Sequence, residues 1–397
     1  QLVVERPRGQ SLGEFLHEKT LVPAGREVTF VPADDFDASR LAKTYQGSDV
    51  RELPQESLGI VGTGGIYATA SDLAAFGGLF CGENEVLSLS AQQQTMADEY
   101  ARGIWPEDTE DLLSYGLGWD SVHFYPFAYD GIQALAKGGD TLQYHAGLVV
   151  LPEYDMACAV LSSGGVSTYN EMAAAQILCA ALAEDGITVS QSGPAQQDTA
   201  VPADMPQELM ELAGYYADST QQYTVGISED GTLSLTALAA PDAVQSFTYY
   251  SDGSFRDETG TIQVKPVALE DGTVYLWQKA CAQLPGLGVM PVSGYCAQRL
   301  EPSDPGQAAQ SAWDEANSKS YLLLNEKYTS QLYLSLGATA VAGEAPATVP
   351  GYMGSARIVD DSHTRFELTT PGTASRDGQE STLYEQDGYT WLAVQDF

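Results

Sequence analysis

Residues 134–163 read ALAKGGDTLQYHAGLVVLPEYDMACAVLSS, and the fold turns on how they are read. Lys137-Gly138-Gly139 is followed by Asp140-Thr141 and then by two apolar runs, AGLVVL and MACAVL, separated by Pro152-Glu153-Tyr154-Asp155. Two apolar runs around a turn are the pattern of an antiparallel hairpin, here with a lysine and two glycines on its first strand. Glycine has no side chain, so another backbone or a ligand can lie directly on such a strand. A lysine beside it offers an ammonium to a carboxylate or an oxyanion. Taken alone, the same letters also describe a glycine-rich turn leading into a strand with an exposed lysine.

Two more segments lie upstream: GGIYATASDLAAF from Gly64 to Phe76, and Tyr115-Gly116-Leu117-Gly118-Trp119. With Lys137, Gly139, Thr141, Pro152 and Glu153 in register, the three segments resemble the serine β-lactamase and penicillin-binding protein family. The likeness is to its class C, D-Ala-D-Ala carboxypeptidase and esterase branch, and it covers residues 1–187. The resemblance implies an α/β (α+β) β-lactamase/transpeptidase-like domain, an antiparallel sheet with helices. It also implies a serine hydrolase acting by acyl transfer on a small peptide, ester or lactam. By the same resemblance Lys137, Gly138, Gly139, Asp140 and Thr141 form the substrate-binding strand. Lys137 would help bind a substrate carboxylate and lower the pKa of the general base. The Asp140 NH would supply half of an oxyanion hole, stabilising charge where it develops in the transition state. Thr141 would line the cleft. Asp140 departs from the small Ser or Thr usual there. A carboxylate beside Lys137 would partly neutralise it and disfavour anionic substrates, which points to an esterase, an amidase or no activity.

The family's nucleophile signature is absent. Its Ser-x-x-Lys places a serine and, one helical turn on, the lysine that takes its proton. None of the seven lysines has a serine three residues before it, and none of the four asparagines completes Tyr-x-Asn or Ser-x-Asn. No catalytic residue is therefore assigned in this chain, and nucleophile and base are expected upstream of Gln1, in a preceding region or a separate N-terminal chain. The alternative is a non-catalytic binding or structural protein that retains the fold. In the family the strands preceding the serine pair with the last strand of this sheet. The edge strand near residues 156–161 is therefore expected to be covered by another chain, a β-module or a rearranged N-terminus.

Other candidates have plainer explanations. Gly9-Gln10-Ser11-Leu12-Gly13 matches the G-x-S-x-G nucleophile elbow, but Ser11 and Glu14 also form a capping box, and the strand an elbow requires is missing. His145 shares the parity of Lys137, Gly139 and Thr141 if one strand carries all four, which would aim it at the cleft; a structural histidine is the alternative. His17, His123 and His363 have no partners at ligand spacing, so no metal and no cofactor are expected. Tyr115 and Trp119 read as packing beneath the site. Tyr215, Tyr216, Tyr249 and Tyr250 suggest a surface for sugars or peptides, or chance clustering.

Fifty-four acidic against 18 basic residues give a net charge of −36. Nucleic acid and anionic lipid are poor partners for such a surface. It suits an extracellular or cell-envelope setting. No apolar run reaches the roughly 18 residues of a membrane helix. Among five cysteines there is no CxxC. Cys281 and Cys296 flank the turn at 284–288 and could face each other across a hairpin, as a disulfide or as a reduced pair; Cys81, Cys158 and Cys179 read as small core residues.

Along the chain, helices are expected at 2–6, 11–20, 71–79, from Ser88 or Ser90 to about 100, and at 169–183 with Met172, Ile177 and Leu178 inward. Residues 188–206 read as a linker. Beyond it the pattern alternates, with Asp-Gly turns at 230–231, 252–253 and 271–272. This marks a β-module over 207–301; the resemblance to the family, many of whose members carry a lipocalin-like β-domain after the hydrolase domain, implies that the module is lipocalin-like. A break and short helix at 302–318 lead to a second β-module over 319–397, with strands at 321–324 and 331–334. Its 387–394 segment echoes 271–278, the sign of a duplicated module.

Overall fold

The computed structural model describes all residues except 26–27, 47–50, 56, 101–104, 106–108, 110–111, 192–199, 325–326, 328–329, 332–338, 342–347, 374–375, 377 and 397. The stretch at 134–163 forms three strands rather than two: β1 (Leu135–Asp140), β2 (Tyr144–Leu151) and β3 (Met156–Ser163), in an antiparallel sheet of order β1-β2-β3. The extra turn is made by Thr141. Its hydroxyl accepts from the Tyr144 NH at 2.9 Å, while its own NH donates to the Tyr144 carbonyl at 2.8 Å. Local side-chain bonding of this kind competes with a continuing strand.

Strand alternation then sorts the apolar residues between two cores. Leu135, Leu148 and Val150 meet Phe80, Trp119 and Val122 on one face. Ala136, Val149 and Leu151 meet Met172, Leu178 and Leu182 on the other. The first face carries a helix at Ala70–Gly77 (α1), whose start is capped where the Thr69 hydroxyl accepts from the Asp72 NH. The second carries a helix at Ser167–Glu184 (α2). Met172 and Leu182 are fully buried there, each contributing about 2 kcal/mol. Ile177, expected inside, is 53% exposed, and Leu182 takes the inward position instead.

β3 is the last strand of this sheet, and among the described residues no strand pairs with its outer edge. Leu161 is 39% exposed. Among the described residues, no strand of the β-module or of the N-terminal segment pairs with that edge. The N-terminal segment folds as short helices at Leu2–Arg8 and Leu12–Leu16, separated by Gly9 in the left-handed region (φ 61°). Ser88 caps the helix at Leu89–Thr95, which is shorter than its pattern suggested.

Further along the chain, eight strands run from Gly214–Ala217 to Gly288–Leu300 and close into an antiparallel barrel in which sequence neighbours pair and the last strand returns to the first. Closure removes the edges that an open sheet would expose. Tyr216, Leu233, Phe247, Phe255 and Leu276 fill the interior. The hairpin of Val274–Leu284 and Gly288–Leu300 is long enough to leave the barrel, and Leu284 and Met290 join the core beneath α2. Leu284 pairs with Gly288, so Cys281 lies opposite Pro291. Cys296 is then five residues beyond Cys281's partner, on the order of 16 Å along the strand, too far for a disulfide. Both thiols are free.

Residues 307–396 differ from the barrel. A helix at Gln307–Asn317 buries Trp313 against Ile358, Leu383 and Leu392, and the strands form small separate sheets. The echo of 271–278 at 387–394 is a shared strand pattern, without a second closed barrel among the described residues. The strand expected at 331–334 falls largely outside them.

Candidate functional site

β1 presents two functional surfaces, one side chain apart. Lys137 and Gly139 face the α1 side, while Gly138 and Asp140 face α2. The outer edge of β1 is lined by the stretch after Trp119. Asp120 and Ser121 donate to the Ala136 carbonyl at 2.9 and 3.2 Å, and the Ala136 NH returns to Ser121 at 2.9 Å. The Gly138 NH also points outward, to the Asp120 carboxylate at 2.9 Å. The two-residue repeat of an antiparallel strand turns the Asp140 NH the same way.

Beside this edge lies a cleft of about 270 Å³, lined by Lys137, Gly138 and Gly139 together with Leu73, Phe76, Phe80 and Trp119. A Cβ on Gly139 would meet no atom within 4 Å, so the strand is open to a ligand at that residue. At Gly138 and its cross-strand partner Gly147 the missing side chain serves α2 instead. A Cβ on Gly147 would lie 2.4 Å from the Glu171 N, and one on Gly138 would lie 2.9 Å from the Ser167 Oγ.

The carboxylate beside Lys137 is Asp120, not Asp140. Asp120 Oδ2 accepts from Lys137 Nζ and from the Gly138 NH, both at 2.9 Å. The Asp140 side chain points through the sheet to the start of α2. There it accepts from the Ser167 NH and hydroxyl, both at 2.7 Å, and contacts His145 Nδ1 at 2.6 Å. Burial raises the Asp140 pKa, but the bonds from Ser167 and His145 outweigh it and hold the carboxyl below its usual range. His145 follows Asp140 because the two are paired in register, which puts them on one face. The turn at Thr141 restarts the alternation, so His145 is a buried structural residue and does not enter the cleft. Ser167, Asp140 and His145 have the composition of a catalytic triad but not its order: the carboxylate sits between the other two, and no imidazole contacts the hydroxyl.

Glu171 escaped the sequence reading. It lies on the first turns of α2 against Gly138 and is only 8% exposed. Burial, then the charge of Asp120, with a smaller push from Asp140, raise its pKa to about 8 against the opposing pull of Lys137. A signal was present: Glu171 belongs to the stripe that continues through Ala174, Ala175, Leu178 and Leu182, all of which are buried.

The remaining candidates, apart from Trp119 in its wall, fall outside the cleft. Ser11 is a cap, accepting from the Glu14 NH while Glu14 accepts from the Ser11 NH at 2.9 Å. Thr141 closes its turn rather than lining the cleft. His17 contacts Asp34 at 3.0 Å and His363 contacts Asp360 at 3.1 Å. No cluster of three or more metal-ligating side chains occurs among the described residues. Tyr216 and Tyr249 fill the barrel interior instead of forming a stacking surface. Arg256 sits 4.7 Å over the Tyr250 ring. Tyr115 packs near Tyr100, and Trp119 packs edge-on to Phe80. Cys81 is half-buried, and burial pushes its thiol up to about 11.

A sheet between helices, with a lysine-glycine edge strand beside an apolar cleft, defines a β-lactamase/transpeptidase-like α/β region. The closed eight-stranded barrel that follows is consistent with a lipocalin-like module. Residues 1–182, a little under half of the chain, match the family model described as Beta-lactamase. No curated protein matches the chain. Among solved structures it is similar to the octameric penicillin-binding protein homologue from Pyrococcus abyssi, with 19% identity, a TM-score of 0.37, and 75% of this chain and 60% of that one covered. It is also similar to SurE with D-Leu, with 17% identity, a TM-score of 0.45, and 73% and 64% covered. A further SurE structure has 16% identity, a TM-score of 0.44, and 75% and 65% covered. The chain spans less than two thirds of the length of each.

Proposed function

We propose that residues 1–182 form one wall of a serine acyl-transfer site acting on a small peptide, ester or lactam, in the manner of carboxypeptidases and esterases. The observation that carries this reading is the open face of Gly139, which lines the apolar cleft together with Lys137 and Gly138; strand alternation turns the neighbouring Asp140 NH to the outer edge of the same strand. An acyl group seated on Gly139 would place its carbonyl oxygen toward that NH, the position where a donor stabilises a developing oxyanion. The nucleophile and its base come from outside residues 1–397, as a preceding region or a separate chain, since no Ser-x-x-Lys occurs within them. The acidic surface supports an extracellular or cell-envelope setting.

The second reading, a binding protein without chemistry, is favoured by one feature: Lys137, which would serve the base, is already paired with Asp120. Two measurements separate the readings. Titrating a neutral acyl ester into the isotope-labelled chain is expected to shift the amide resonances of Gly139 and Asp140; silence there removes the cleft from consideration. The intact mass of the natural product, with any tightly bound partner, is expected to exceed 42.4 kDa. A natural product of this mass with no partner leaves the binding protein.

A further inference from the structure

The Asp120 carboxylate holds two donors that a carboxylate-bearing ligand would seek. Lys137 Nζ and the Gly138 NH, from two residues that line the cleft beside the open Gly139, converge on one oxygen, each at 2.9 Å. This is the arrangement by which a strand edge and an ammonium together hold a bound carboxylate. Asp120 is held in place by its backbone: its own NH and that of Ser121 both donate to Ala136, and Ala136 donates back to Ser121. The side chain thus starts from a peptide fixed along β1, and it and Lys137 remain close to half exposed, within reach of an incoming ligand. Lys137 carries the cleft's positive charge. Against it stand Asp120 in contact, Asp140 on the far face of the sheet, and Glu171 beneath Gly138 whenever it is ionised.

We propose that Asp120 is a built-in carboxylate that occupies the anion seat of the cleft, and that the cleft therefore selects neutral acyl compounds, esters and amides without a free carboxylate, over anionic ones. This rests on the acyl-transfer reading of the site and narrows its substrate class. An incoming carboxylate would have to displace Asp120 from both donors and then sit a few ångströms from it, in a site whose net charge is already at or below zero. A neutral ester needs neither donor, because its contacts are the apolar wall and the Asp140 NH.

The test compares Asp120→Asn with the unaltered chain. Asparagine keeps the size and one acceptor but releases the charge of Lys137. The first probe is acetate, followed through the Gly138 amide resonance. The unaltered chain is expected not to respond at 50 mM acetate, whereas the variant shifts with a dissociation constant in the low millimolar range. The second probe is a pair of acylated dipeptides differing only in a free or methyl-esterified C-terminus. The variant is expected to raise the affinity for the free acid at least tenfold and to leave the methyl ester within twofold. An unaltered chain that binds acetate at Gly138, or a variant that does not, overturns the proposal. So does an unchanged preference between the two dipeptides. If neither dipeptide binds either chain while acetate behaves as expected, the anion seat stands and the acyl-transfer reading falls, together with the substrate class drawn from it.

Discussion

Replacing Glu171 by glutamine should change the pH dependence of stability more than stability itself. Glu171 is 8% exposed, pressed against Gly138 by α2, with Asp120, Asp140 and Lys137 as its charged surroundings and His145 behind Asp140. Its carboxyl keeps its proton to about pH 8 in the folded chain, against 4.5 for the unperturbed group. The unfolded chain therefore releases this proton near pH 4.5 while the folded chain retains it. Between the two values the folded state binds one proton more, so stability falls as pH rises. The contribution is fully present below pH 4.5 and exhausted above pH 8. At about 1.4 kcal/mol per unit, the interval amounts to about 5 kcal/mol. Glutamine cannot ionise and removes this slope. Urea melts at pH 5, 7 and 8.5, followed by fluorescence of the buried Trp119, should show the variant losing roughly 3–5 kcal/mol less than the unaltered chain between the extremes. Parallel profiles would refute the reasoning, because they would mean that Glu171 already finds a compensating cation or water when folded.

Three further outcomes follow from the same geometry. Gly147→Ala would bring a methyl to 2.4 Å from the Glu171 backbone nitrogen, which cannot yield. It should cost about 3 kcal/mol or more by chemical denaturation, whereas Gly139→Ala, with open space before it, should stay within about 0.5 kcal/mol and instead weaken ester binding. Asp140→Asn removes a carboxylate whose pKa is lowered in the folded state. Its stabilisation is present above the unfolded pKa and lost as pH falls through the folded one, so the variant should be less stable at pH 7 and converge on the unaltered chain in acid. Ser11→Ala should cost about 1 kcal/mol through the lost cap and leave ligand binding at Gly139 unchanged.

What the sequence showed plainly was local. The Ser11–Glu14 box is a contact three residues long, and the three family segments are contiguous strings whose order survives any rearrangement of loops. The β-module was legible as alternation punctuated by Asp-Gly turns, while its closure into a barrel depends on the pairing of its first and last strands. Failures came where register decides. One hydroxyl, that of Thr141, breaks the first strand and moves His145 to the other face, which no parity count across an unbroken strand could reveal. Cys281 and Cys296 straddle their hairpin unequally, since the turn at 285–287 sets partners that their spacing alone does not. Asp120 lies 17 residues before Lys137 and reaches it only because residues 120–123 run along the edge of β1. The charge expected of Asp140 was right in kind and wrong in residue, because a strand sends adjacent side chains to opposite faces.

The proposed division of labour puts a substrate-binding wall in this chain and the reactive hydroxyl outside it. It is tested most directly by exposing all 397 residues to a fluorophosphonate and to a fluorescent penicillin, then measuring the intact mass. The chain is expected to stay unmodified while its Gly139 and Asp140 amides respond to a neutral ester. A covalent adduct mapped to any serine within it, Ser11 and Ser167 first among them, would contradict that division of labour.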